Sequence, residues 1–184
     1  MENVNVISKR CSVLIKDNVF SLVVLPTDNK KKTNLLFLWL LAWSVSGVII
    51  IANYFKLNSA NEKLMILIWL AFWAYFEFKV IRVFMWKRFG KEKLWIKNGV
   101  VHYQQEISGR GKIQNYDANL VTEFVLIPVE KENFMDVINQ SFWVKGGERL
   151  LFIFQGKYIK MGMQLTDEEA NQSIKAINKF LKKN

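Results

Sequence analysis

The sequence has little histidine, cysteine or proline: its 184 residues include one His, one Cys and two Pro. The single cysteine, Cys11, excludes a disulfide within the chain and a cysteine-rich zinc site. The single histidine, His102, excludes most histidine-based catalysis and histidine-rich metal sites. No nucleophile–base pair, metal-ligand cluster or cofactor fingerprint is visible. We therefore expect a protein that is not an enzyme and that needs no cofactor or metal.

Charged residues are missing from one long stretch, residues 34–55. An α-helix rises about 1.5 Å per residue, so about 20 apolar residues span a hydrocarbon core of roughly 30 Å. A second apolar run is uncharged only as far as Phe76, and it is long enough to span when it is extended to residue 86. The sequence therefore predicts a transmembrane helical hairpin over residues 35–86, with helices at 35–55 and 64–86.

The net charge of +10 is spread along the chain, which argues against a nucleic-acid partner. The densest basic clusters flank the predicted hairpin and suit anionic lipid headgroups. They include Lys30, Lys31 and Lys32 before the hairpin, and Lys87 and Arg88 after it. The loop at 56–63 is less basic than either flank. By the positive-inside rule, we expect a two-helix protein of the cell inner membrane with both termini in the cytoplasm.

Three charged residues, Glu77, Lys79 and Arg82, fall within the second predicted helix. In one interpretation, Lys79 and Arg82 extend toward the headgroups, and Glu77 lies near the interface or pairs with Arg82. In the other, Glu77 faces a polar pathway or a partner helix.

Tryptophans repeat at a spacing of four in both predicted helices, at Trp39 and Trp43 and again at Trp69 and Trp73. This spacing places each pair on one helix face. The stripe is either a dedicated partner surface or aromatic packing against lipid or the other helix.

The N-terminal arm, residues 1–34, contains two β-branched, apolar stretches between residues 12 and 25. Asp17 and Asn18 separate them, which is typical of a strand, a turn and a strand. We expect these strands to join or pack on the cytoplasmic domain.

The cytoplasmic domain, residues 87–184, shows short runs separated by turn signals such as Asn98-Gly99. Seven strands are predicted, at 94–97, 100–107, 112–116, 121–127, 141–145, 149–154 and 157–163. A helix follows, with a capping box formed by Thr166 and Glu169. This order is similar to the pleckstrin-homology (PH) architecture. The predicted fold class is an α+β membrane protein with a helical hairpin and a PH-like, seven-stranded barrel or sandwich closed by a C-terminal helix.

Several short motifs carry a closer resemblance. They are the two tryptophan pairs, Phe89-Gly90-Lys91-Glu92, Gly109-Arg110-Gly111-Lys112 with Tyr116-Asp117, and the segment 156–170. Through them, residues 35–184 resemble a widespread, functionally uncharacterised group of bacterial membrane proteins with a transmembrane hairpin and a PH-like domain. The resemblance implies location and fold, and it brings no activity. Relatives tend to have glycine where this chain has Glu77, which questions close packing of the two helices.

The layout is also similar to that of the chloroplast factor that assembles photosystem I, which implies a role in assembling a membrane complex. We expect a membrane-anchored PH-like binding or scaffold module with a protein partner or a second copy of itself. The alternative is an oligomeric transport or channel subunit that uses Glu77, Lys79 and Arg82.

One glycine-rich loop carries the candidate ligand residues Arg110 and Lys112. Glycine lets backbone N–H groups approach a phosphate, so these two residues are possible phosphate contacts. A solvated turn is the alternative. His102 alternates with apolar residues on a predicted strand, and we expect a structural or surface role for it.

Overall fold

The computed structural model describes residues 3–26, 29–128 and 144–183. The chain is a mixed α+β protein with three helices and two antiparallel sheets. It forms two compact units. The helical unit is Asn29–Arg88, and the β-unit combines Met1–Asp28 with Phe89–Asn184.

The helical unit contains α1 (Lys30–Tyr54) and α2 (Ala60–Phe89). Both helices are long and apolar enough to cross a membrane, and 17% and 0% of their most apolar stretches are buried. Each helix extends beyond its predicted bounds into charged sequence. Helix α1 begins at Lys30 because the Asn29 side chain caps it, accepting a hydrogen bond of 3.0 Å from the Lys32 N–H. Lysine and arginine are good helix formers, so α2 continues through the basic flank to Phe89.

The larger sheet of the β-unit has six strands that follow one another in chain order. They are β1 (Asn3–Val6), β2 (Cys11–Lys16), β3 (Val19–Val24), β4 (Gly90–Lys97), β5 (Val100–Ile107) and β6 (Ile113–Asp117). The predicted N-terminal strands are present as β2 and β3, and Asp17 and Asn18 form their turn with φ of 47° and 60°. They do not form a separate arm, because β3 pairs with β4 and places Phe20 opposite Ile96.

The smaller sheet contains β7 (Val125–Leu126), β8 (Glu148–Phe154) and β9 (Lys157–Met163). The strand predicted at 121–127 is reduced to two residues, because Ala118–Leu120 forms a 3-10 turn just before it. The strand predicted at 141–145 falls mainly outside the described residues, and residues 144 and 145 are not in a strand. Within the described ranges the two sheets do not close into a barrel, and three of the nine strands come from the N-terminal segment.

Helix α3 (Asp167–Leu181) covers the core between the sheets. It packs against β2 and β3 of the larger sheet and against β7 and β8 of the smaller one. The predicted capping box is confirmed, since both reciprocal hydrogen bonds between Thr166 and Glu169 are present. Ala170 and Ile177 are fully buried, and the Phe180 ring lies 5.5 Å from that of Phe20.

Candidate functional site

A buried carboxylate joins the two sheets of the β-unit. Glu92 lies on β4 and is 1% exposed. Its Oε1 accepts hydrogen bonds from Tyr103 Oη at 2.8 Å and from Gln105 Nε2 at 3.3 Å, both on β5. Its Oε2 accepts from the N–H groups of Gly162 and Met163 on β9, at 2.8 and 3.0 Å. Four donors therefore satisfy one carboxylate that bridges β4 and β9.

Gly162 makes the β9 half of this contact possible. Its φ of +74° turns two successive N–H groups toward the same oxygen, which is the geometry of a backbone anion nest. A Cβ at this position would lie 2.8 Å from Leu165 Cδ1 and 2.9 Å from Leu150 Cγ. Glycine is thus required here by both the backbone conformation and the packing.

Burial raises the pKa of the Glu92 carboxyl above its ordinary value of 4.5, against the opposing effect of its hydrogen-bond donors. Burial, followed by the charge of Glu92, also raises the pKa of the Tyr103 hydroxyl. Tyr103 therefore stays protonated and donates. Gln105 extends the network, because its Nε2 donates to Tyr103 Oη at 2.8 Å and its Oε1 accepts from Lys145 Nζ at 3.0 Å.

A polar cleft of about 430 Å³ opens beside this network. It is lined by Tyr103, Gln105, Lys112, Gln114, Tyr158, Ile159 and Lys160. These residues come from β5, β6 with the residue just before it, and β9. Because β6 and β9 are the outer strands of their respective sheets, the cleft lies where the two sheets remain unpaired. A cavity of this size fits a small ligand.

The structure separates the two predicted phosphate contacts. Lys112 lines the cleft, whereas Arg110 is exposed on the adjoining turn and is not part of the lining. Ser108 and Gly109 have φ of 50° and 80° and form this turn, which Arg110 closes by pairing with Ile107. Arg110 therefore belongs to the turn, and Lys112 is the one of the two that lines the cleft.

Gly111 holds Lys112 close to β5. A Cβ on Gly111 would overlap the backbone carbonyl of Gln105, and Gln104 Nε2 donates a hydrogen bond of 2.8 Å to the Gly111 carbonyl. Glycine therefore allows the segment to approach the neighbouring strand and fixes where the lysine leaves the backbone.

A second polar contact lies inside the helical unit. Ser44 Oγ on α1 donates to Glu77 Oε1 on α2 at 2.5 Å, so Glu77 binds the other helix and not Arg82. Within the described chain, the other carboxyl oxygen, Oε2, is buried and has no hydrogen-bond partner. Gly47 of α1 faces the Trp73 ring of α2 so closely that a Cβ would overlap it, so the two helices meet here through a side chain.

The other charges of α2 do not join Glu77. Lys79 Nζ lies 5.4 Å from the centre of the Tyr75 ring, and the Arg82 guanidinium carbon lies 5.7 Å from that of Phe78. Both cations thus contact aromatic rings of their own helix. The three charged residues proposed for a transport pathway do not converge.

The tryptophans of the helical unit pack between the helices. Trp43 stacks on Trp39 at 5.5 Å, and its ring centre lies 6.4 Å from that of Trp69. Trp73 Nε1 donates to the Trp43 carbonyl at 3.2 Å. Of the two interpretations of the stripe, packing against the other helix describes Trp43 and Trp73.

The predicted membrane-flanking residues divide into exposed and buried ones. Lys30, Lys31, Lys32 and Arg88 are exposed, whereas Lys87 is 6% exposed. Farther along, Lys91 and Lys93 both bind Glu106 across the β4–β5 pair, and these contacts lower the pKa of the Glu106 carboxyl.

His102 has the surface position expected for it. Its ring stacks on Trp95 at 5.0 Å, and Nδ1 lies 2.8 Å from Asn115 Oδ1. Across residues 3–26, 29–128 and 144–183, no three histidine, cysteine or acidic side chains converge as a metal site would require.

Sequence reasoning missed Glu92, because the strand was predicted to start at residue 94. The available signal was its position two residues before Leu94 and four before Ile96, which places it on the inward face of β4. Comparison with models of protein families, with curated proteins and with solved structures finds no match. The resemblance described above therefore stays a prediction.

Proposed function

We propose that this protein is a membrane-anchored binding or scaffold module of the cell inner membrane. In this proposal, α1 and α2 form a transmembrane hairpin, and the β-unit is a PH-like domain on the cytoplasmic side. Two antiparallel sheets covered by a C-terminal helix support the PH-like assignment. The partner is a protein or a second copy of the chain, with assembly of a membrane complex as one use of such a module.

The membrane topology in this proposal is argued from the pairing of β3 with β4. These strands flank the helical unit in the chain and are hydrogen-bonded neighbours in the larger sheet. This pairing supports a topology in which the two ends of the hairpin lie on the same side of the membrane, with an even number of crossings between them. Two apolar helices provide that number, and the basic clusters at both ends favour the cytoplasmic side.

The topology can be tested by labelling cysteines from one side of the membrane. Native Cys11 is 1% exposed and gives a low background. We expect Ser59→Cys, in the helix–helix loop, to react with an impermeant maleimide in right-side-out vesicles. Lys97→Cys, at the exposed end of β4, should react only after permeabilisation. Reaction of both variants, or of neither, in sealed vesicles would contradict the hairpin.

The binding role is tested by copurification. The full chain is solubilised from its own membrane in mild detergent, and copurifying proteins are identified by mass spectrometry. The control retains only the helical unit. A stoichiometric protein that is lost in the control supports a module whose β-unit binds a partner. Recovery of the same proteins with both forms would argue against it.

A further inference from the structure

We propose that the cleft between β6 and β9 binds the phosphate group of a small ligand, with Lys112 and Lys160 as its cationic contacts. The inference rests on the proposed function, since it gives the β-unit of a binding module a ligand class. The ligand is either a free phosphomonoester or the phosphomonoester headgroup of a lipid.

The charge of the cleft carries the proposal. Among the residues that the structure describes, its lining contains two lysines and no acidic residue. Neither Lys112 nor Lys160 makes an ion pair or side-chain hydrogen bond to any residue that the structure describes, so both ammonium groups remain available. Lysine is a common phosphate ligand and binds phosphate as a mobile point charge.

Neutral donors add to these cations. The Gln114 side chain accepts a hydrogen bond from Tyr116 Oη through its oxygen, which leaves its amide N–H groups to donate. Tyr158 is 68% exposed at the rim and offers a hydroxyl. Donors from β6 and β9 can therefore surround a tetrahedral anion.

The nearby carboxylate of Glu92 is not part of the lining. Glu92 lies behind Tyr103 and Gln105, and four hydrogen bonds already occupy its two oxygens.

The test uses the full chain in phosphatidylcholine discs, with glycerol 3-phosphate as the soluble probe. Amine acetylation read by mass spectrometry should be slowed severalfold at Lys112 and Lys160, and unchanged at Lys97 and Lys175. A second arm replaces the probe with discs that contain phosphatidic acid. Protection only by the soluble probe identifies a free ligand, and protection in the second arm identifies a lipid headgroup.

Matched variants give the size of the effect. Each charge-assisted hydrogen bond contributes about a tenfold factor, so Lys112→Gln/Lys160→Gln should weaken binding of glycerol 3-phosphate by roughly a hundredfold. The control Lys97→Gln/Lys175→Gln removes the same charge from exposed sites and should change the affinity for glycerol 3-phosphate by less than about twofold. Slow maleimide labelling of buried Cys11 verifies that the variants are folded.

Three results would overturn the inference. The first is no protection in either arm, and the second is equal protection of the two cleft lysines and the two control lysines. The third is equal protection when glutamate replaces glycerol 3-phosphate as the soluble probe. None of these results bears on the proposed function, which is tested separately by cysteine labelling and by copurification. Conversely, the acetylation experiment still reports on the cleft if the topology experiment fails.

Discussion

Replacing Glu92 by alanine should release the two sheets of the β-unit from each other. The substitution leaves the two backbone N–H groups of Gly162 and Met163 buried without an acceptor. The Tyr103 hydroxyl also loses its acceptor but can rotate, and Gln105 keeps its hydrogen bond to Tyr103. Each buried unsatisfied donor costs about 1–3 kcal/mol, so the expected loss is about 4 kcal/mol. That corresponds to roughly a thousandfold increase in the opening equilibrium.

The single cysteine provides the assay. Cys11 lies in the core of the β-unit and reacts with a maleimide only when that unit opens. Its labelling rate in mild detergent therefore reports opening of the β-unit without unfolding the helices. The control is Glu123→Ala, whose partner Lys182 lies 2.8 Å away on an exposed surface and contributes less than about 1 kcal/mol.

Glu92→Gln should fall between these two variants. Its amide oxygen can still accept from both β9 N–H groups, but its NH₂ group can accept from neither Tyr103 nor Gln105. We expect about a tenfold increase in Cys11 labelling. A change below about tenfold for Glu92→Ala, or a larger effect for glutamine than for alanine, would refute the nest as the link between the sheets.

Comparison of the native chain with Glu92→Gln also tests the raised pKa of Glu92. A carboxyl whose pKa is higher in the folded state contributes stability that is complete below about pH 4.5 and is lost as the pH rises through the folded-state pKa. Relative to Glu92→Gln at each pH, the native chain should therefore open more readily as the pH rises above 4.5. A flat ratio would show that folding leaves this pKa unchanged.

Further substitutions at three positions probe close contacts. Gly162→Ala should destabilise the β-unit by about 2–4 kcal/mol, measured by Cys11 labelling, because both its φ and its packing exclude a side chain. Gly47→Val should force the helices apart at Trp73, and should lower the yield of a short bis-maleimide crosslink between cysteines placed at Phe37 and Phe84, whose rings lie 5.5 Å apart. Glu77→Gln should preserve that yield because its amide oxygen still accepts from Ser44, whereas Glu77→Leu should reduce it. Equal yields for the last two would contradict a role for the hydrogen bond.

Local features of the fold could be predicted because their causes are local. Asn98 and Gly99 adopt φ of 50° and 72° at the predicted turn, and Thr166 and Glu169 form the predicted cap. Uninterrupted apolar sequence similarly indicated α1, although its start at Lys30 depends on the cap from Asn29.

Pairings between distant segments could not be predicted in this way. The contact of β3 with β4 joins residues about 70 positions apart, such as Val24 and Glu92, and nothing in either segment specifies the other. The candidate cleft has the same origin. Lys112 and Lys160 meet because two separate sheets end there, so the sequence could single out Lys112 from its glycine-rich loop but not Lys160.

The place of the helices between β3 and β4 also orders the events of biosynthesis. Strand β3 ends at Val24 and its neighbour β4 begins at Gly90, so residues 25–89 must be translated in between. At roughly 5–20 residues per second, β3 waits for about 3–13 seconds with one edge unpaired. If the proposed hairpin inserts as its helices leave the ribosome in this interval, insertion precedes closure of the larger sheet. Delayed insertion would prolong the exposure of an apolar strand edge, the feature that leads nascent chains to aggregate.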